Sequence, residues 1–243
     1  MYIDFHSHYF NEIQLKNALK TSEMISISFY DRENFENFLA LDFCKNENVK
    51  IQIGCHPWYL SEDFFEYIKK SLKCETIREK ICGIGEIGFD FAKGEYQKNP
   101  EIQEKYFIEQ VELAIENNLP IIIHNVKGFA YLAKNVKLLK KVKKCVFHSF
   151  SGTFREANFF IKNNVDCIFT FGKNILIDNK RAIECISNLS VKNLGIESDF
   201  TTKNQILIKD MYEKMYNIRN IITLDNKKEF EDEMKTNFCS VFT

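Results

Sequence analysis

With 243 residues, 45% hydrophobic and 28% charged, the chain has the make-up of a folded globular protein and not of a disordered or fibrous one. Its formal net charge of -1 argues against a broad cationic footprint for duplex nucleic acid. A phosphodiester substrate stays open, because bound metal ions can supply local positive charge.

No stretch approaches the roughly 18 apolar residues of a membrane span. No basic leader precedes Tyr2-Ile3-Asp4-Phe5, so a cytoplasmic location is expected. The eight cysteines form no CxxC pair, and several sit in apolar runs, as Cys82, Cys145 and Cys167 do, which suits buried reduced thiols.

Short apolar runs alternate with longer amphipathic ones along the chain. The first run, 2–6, closes on His6 and His8. Side chains two apart on a strand point the same way, so this pair presents two imidazoles to one ion. A second strand is expected at 24–29 and a third at 49–55, followed by His56, Pro57 and Trp58, the only tryptophan. The fourth, 81–86, closes on Glu86. Between it and the fifth, Phe107, Gln110, Val111, Ala114 and Ile115 recur at three- and four-residue spacing and predict a helix over 101–118.

The fifth strand, 120–124, closes on His124, and a second periodic helix is expected over 128–142. Lys134, Lys137, Lys140 and Lys144 share one face of it and read as a solvated surface near a helix C-terminus. The sixth strand, 144–148, closes on His148; the seventh is expected at 165–171; the eighth, 194–197, leads into Asp199. The segment 203–243 reads as helical throughout.

Eight strands alternating with helices imply parallel pairing through right-handed crossovers, and hence an α/β TIM barrel, (β/α)8, here as a single domain over 1–243. Residues at the carboxyl ends of such strands converge on one mouth. His6, His8, Glu86, His124, His148 and Asp199 together suffice for two divalent ions, which in two-metal sites lie about 3.5–4 Å apart. On this reading Glu86 bridges, His6, His8 and Asp199 complete one ion, and His124 and His148 complete the other. Asp199 is the candidate general base. His56, on the rim, is a candidate to hold a substrate phosphate. The donor set admits Mg²⁺, Mn²⁺ or Zn²⁺.

These residues stand in stretches that resemble one known family. The stretches are Asp4-Phe5-His6-Ser7-His8, Gly54-Cys55-His56-Pro57, Gly83-Ile84-Gly85-Glu86-Ile87-Gly88-Phe89-Asp90, Pro120 to His124, His148-Ser149-Phe150-Ser151-Gly152 and Glu197-Ser198-Asp199. In this order they resemble the TatD family of metal-dependent deoxyribonucleases. The resemblance implies a TIM barrel with two divalent ions and 3′→5′ exonuclease or deoxyribonuclease cleavage of DNA phosphodiesters. It carries the metal roles to the six residues above and the family's Gly-x-His-Pro histidine to His56.

Two departures touch substrate loops. The family's arginine after the fifth-strand histidine is missing, leaving Lys127 as its candidate substitute, and the proline after the last aspartate is replaced by Phe200-Thr201. Two competitors follow. One is a metal-dependent ester or amide hydrolase, such as a D-aminoacyl-tRNA deacylase with aminoacyl-tRNA as substrate. The other is a non-catalytic binding barrel.

Overall fold

The structure is a computed structural model that describes residues 1–9, 11–92, 94, 99–201, 207–223 and 226–242. Eight strands follow one another in chain order around the sheet: β1 (Tyr2–Ser7), β2 (Ser22–Phe29), β3 (Val49–Ile53), β4 (Ile81–Asp90), β5 (Ile121–Val126), β6 (Cys145–Phe147), β7 (Cys167–Phe171) and β8 (Leu194–Ile196). Each pairs in parallel with the next.

The seam between β8 and β1 is drawn together by residues just past β8. Asp199 N–H donates to His6 O at 3.0 Å, His8 N–H donates to Phe200 O at 2.9 Å, and Ser7 bridges Phe200. Beneath them the buried Asp4 carboxylate accepts from Ser198 N–H at 2.8 Å and from the Ser198 hydroxyl at 2.6 Å. The sheet is thereby a nearly closed barrel with helices between its strands.

The expected helix over 101–118 is present as Pro100–Glu116, with Asn99 accepting from Glu101 N–H at its start. The helix expected over 128–142 is broken at Asn135 into Phe129–Lys134 and Val136–Leu139. The Asn135 amide donates back to Tyr131 O at 2.9 Å and out to Glu104, so it caps the first piece instead of continuing it. Lys134, Lys137 and Lys140 are exposed as expected, Lys134 pairing with Glu104 at 2.9 Å, whereas Lys144 lies beyond the helix, half-buried and paired with Asp166 at 3.2 Å. In the last part, Ile208–Thr223 and Lys227–Phe242 are helical, while 203–206, 224–225 and 243 lie outside the described residues. Among the described residues no helix is long and apolar enough to cross a membrane, and all eight cysteines are free thiols.

Two apolar clusters hold the barrel. The larger lies between sheet and helices. The smaller joins Ile3 and Phe5 of β1 to Ile122, Val146 and Ile168 from strands on the far side, so it fills the interior. Phe238, Val241 and Phe242 of the last helix complete it, with the Phe238 ring edge-on to Phe5 at 5.2 Å. That helix closes the floor, which leaves polar chemistry to the opposite end.

The largest difference from expectation lies in β4, which runs on to Asp90. Its ladder to β5 pairs Gly85 with Ile122 and Ile87 with Ile123, so Glu86 stands unpaired in an irregular step. Glu86 thus does not close its strand. Such a bulge redirects a side chain while pairing continues on either side. The strand resumes through Gly88, whose φ of +139 no L side chain adopts easily, and a Cβ there would come within 2.1 Å of His124 O.

Gly88→Ala should therefore cost about 3 kcal/mol, read as a lower urea midpoint. Gly94→Ala, where a Cβ would meet nothing within 4 Å, should leave that midpoint in place. Equal midpoints for both variants would contradict this account of β4.

Candidate metal centre

The carboxyl ends of the strands surround a cavity of about 330 Å³ lined by His8, His56, Glu86, His124, His148 and Asp199. His6 lies just beneath it, fully buried. Glu86 is the hub. Its Oε1 is 3.2 Å from both His6 Nε2 and His8 Nε2. Its Oε2 is 3.4 Å from His148 Nε2 and 3.5 Å from His124 Nδ1. Each oxygen of one carboxylate therefore faces its own set of imidazoles, with His56 Nε2 a third and more distant neighbour of Oε2 at 3.8 Å. Asp199, held at a left-handed φ of 45, sets Oδ1 3.8 Å from His8 Nε2.

The far nitrogens show what the near ones are for. His8 Nδ1 is 3.2 Å from Ser28 O, a carbonyl that can only accept, so the proton sits on Nδ1 and the Nε2 lone pair faces the centre. His124 turns its Nε2 to Asp90 Oδ2 at 3.0 Å. His148 sets its Nδ1 3.0 Å from Glu197 Oε1, an ion-pair contact lying off the hydrogen-bond direction. Anchoring the second nitrogen on a carbonyl or carboxylate is how proteins orient metal-binding histidines. His6 departs from the pattern, since its buried Nδ1 has no hydrogen-bond partner.

The charges agree with this arrangement. Burial would push the Glu86 carboxyl up, but His6, His148 and the bond from His124 hold it well below the usual carboxylate range. Burial would likewise depress His148, yet Glu197 and Glu86 outweigh it and raise its pKa to about 10. Ligation through Nε2 then competes with a proton, which ties metal affinity to pH. Glu197 is held down against its burial by His148 and by the Thr170 hydroxyl, which donates at 2.5 Å.

Three groups of donor atoms converge within 4.8 Å of one another: His6, His8 and Glu86; His6, His148 and Asp199; and His56, Glu86 and His124. Imidazoles with exposed lone pairs around shared carboxylates form a donor set that fits divalent cations. The grouping differs in part from the expected partition, since His148 also reaches the His6–Asp199 side.

His56 behaves differently from the other imidazoles. Its Nδ1 accepts from Trp58 N–H at 3.1 Å, and burial pushes its pKa down to about 3. The neutral ring then carries its proton on Nε2, which makes it a donor at the rim and a poor ligand. Lys127 lies outside this cavity. It is exposed, has a φ of 60, and lines a neighbouring groove with Lys180 and Arg181.

Sequence reasoning missed Asp90 and Glu197. Both had a signal. Glu197 stands two residues before Asp199, as His6 stands two before His8, and Asp90 follows Glu86 at the even spacing of one strand face.

A parallel eight-stranded barrel with imidazoles and carboxylates gathered at its mouth has the form of a metal-dependent hydrolase. The sequence model of the family described as TatD related DNase matches residues 3–243, and the chain belongs to that family.

The chain is 27% identical over 215 residues to an uncharacterized metal-dependent hydrolase, YjjV, of Escherichia coli K12, covering 82% of this chain and 78% of that protein. The crystal structure of YjjV superposes with a TM-score of 0.84 at 22% identity, over 99% of this chain and 97% of that one. The Deoxyribonuclease Tat-D of Schizosaccharomyces pombe is 26% identical over 191 residues, 73% of this chain and 59% of that protein. The 3′-5′ ssDNA/RNA exonuclease TatD of Pantoea vagans is 34% identical over 101 residues, 41% of this chain and 38% of that protein.

If Glu197 orients His148, Glu197→Gln should weaken divalent-metal binding roughly 10–100-fold with little change in fold. Calorimetric titration of chelator-stripped protein with Mn²⁺ or Zn²⁺ measures this, and wild-type affinity in the variant would refute it.

Proposed function

We propose that the chain, acting as one barrel domain over 1–243, is a two-metal phosphodiesterase that shortens DNA strands from an end, in the manner of a 3′→5′ exonuclease. The observation that carries the reading is Glu86, whose two carboxylate oxygens each face a separate set of imidazoles, His6 and His8 on one side and His124, His148 and the more distant His56 on the other. A carboxylate so placed suits a bridge between two ions. His6, His8 and Asp199 would hold one, and His124 and His148 the other. The names of the fission-yeast and Pantoea relatives supply the substrate class. Mg²⁺, Mn²⁺ and Zn²⁺ all suit the donors.

Two such ions, once bound, would lower the pKa of a water toward ~7 and stabilise the charge that develops on the phosphate. The residues do the rest. Asp199 lines the cavity at the barrel seam, which supports its assignment as the base that takes the proton of the attacking water. His56 Nε2–H donates to a non-bridging phosphate oxygen and, being neutral, adds direction without a second positive charge. Asp90 and Glu197 fix the rings of His124 and His148. Lys127 lines a groove with Lys180 and Arg181, which supports its assignment to a phosphate further along the strand.

A 3′-labelled and a 5′-labelled single-stranded DNA, incubated with Mg²⁺, Mn²⁺ or Zn²⁺, test this reading. Stepwise shortening from one end, stopped by EDTA and reduced at least 1,000-fold in Asp199→Asn, is expected; in the best-dissected hydrolases, loss of a reacting group costs about that or more. No cleavage by a protein that binds about two ions per chain would move the assignment to ester or amide hydrolysis.

A further inference from the structure

One wall of the metal cavity is aromatic, and the proposed chemistry makes no use of it. Tyr30, Trp58 and Tyr59 line the same cavity as Glu86 and His124. Tyr59 is 40% exposed and Trp58 36%, while the other residues lining the cavity are buried or half-buried. Large aromatic rings usually bury their area, and the exposed part of these rings at the edge of a deep polar site offers apolar surface that a ligand can cover.

The wall is built to stay in place. His56, Pro57, Trp58 and Tyr59 form a turn closed by Tyr59 N–H donating to His56 O at 2.8 Å, with proline where its fixed φ favours the turn. The Trp58 indole N–H donates to Asp90 Oδ2 at 2.9 Å, the same oxygen that faces His124. Tyr30 stacks on Tyr59 with centroids 5.1 Å apart and planes at 22°, which steadies the ring. The wall also touches the metal centre, with His56 5.9 Å from Tyr59 and His8 5.8 Å from Tyr30, centroid to centroid.

We propose that Tyr59, stacked with Tyr30 and with the Trp58 ring set at 82° to it, forms a stacking subsite for the base of the nucleotide being removed. The proposal rests on the phosphodiester reading above and adds a requirement for an unpaired, base-bearing end. A cavity of about 330 Å³ lies at the lower end of ligand-pocket sizes, which suits one nucleotide and not a duplex end. Aromatic stacking accepts any base, because every base has a π-face. A base on this wall leaves its phosphate beside the His56 donor and the histidine–carboxylate centre. The subsite therefore selects for the presence of a base and against base pairing, and reads no sequence.

Trp58 is the only tryptophan, so its fluorescence reports the wall directly. Metal-loaded protein is titrated with deoxyadenosine 5′-monophosphate while Trp58 emission is followed, and base-free deoxyribose 5-phosphate is measured by competition. The base should tighten binding about 10–100-fold, in keeping with stacking on an aromatic platform. That advantage should fall several-fold in Tyr59→Ala and return in Tyr59→Phe. Equal affinities for the two ligands, or an undiminished advantage in Tyr59→Ala, would overturn the subsite. Cleavage is not needed for this readout. Quenching without DNA turnover would keep the subsite and remove the nuclease reading, and turnover without a base advantage would do the reverse.

Discussion

The seam between the last strand and the first is the constraint on which the site depends. Asp4 grips Ser198 through two hydrogen bonds, and main-chain bonds join Asp199 to His6 and His8 to Phe200. These contacts place Asp199 beside His8 and His6 opposite Glu86. The seam itself is costly to build. Asp4 is fully buried, and burial raises its pKa to about 7 against the pull of the Ser198 donors. A buried carboxyl that must find donors fixes one register and penalises alternatives, because a one-residue slip would leave it unsatisfied.

From that seam inward, the centre is organised in layers around Glu86. The imidazoles meet its oxygens, and Ser28 O, Asp90 and Glu197 hold the imidazoles from behind. Each layer restricts the one in front of it. Asp90 matters twice over, since one carboxylate oxygen faces a candidate ligand and also receives the indole of the aromatic wall. The metal chemistry and substrate recognition proposed here are therefore mechanically joined at a single oxygen atom.

Much of this was legible in the sequence, for a physical reason. Strands of a parallel barrel are buried on both faces and read as apolar runs, so polar residues at their ends stand out against them. His6, His8, His124 and His148 showed themselves this way. Glu86 and Asp90 were harder to place. Glycine-rich β4 reads as a short apolar run, and nothing before the fold was known showed that it continues through Gly88 to Asp90. Glu86 was found, but as a strand end instead of a bulge. Glu197 carried a local signal in its spacing from Asp199, but its partner, His148, lies on another strand, and spacing alone does not name a partner so distant. The break at Asn135 shows the limit of periodicity. The apolar spacing persists across it, while one side-chain amide satisfying a carbonyl ends the helix.

The floor of the barrel bears on how the protein comes into being. Phe238 of the last helix packs against Phe5 of the first strand, and Ser198 is bonded to Asp4 across 194 residues of chain. Contacts of such sequence separation form late and slowly, since loop closure must come before they contribute. During synthesis the first histidines emerge long before the segments that enclose them. A nascent chain could already carry His6, His8, His56, Glu86 and His124 and still have neither seam nor floor. The gathering of these side chains at one mouth therefore waits on the closing of the seam and the floor.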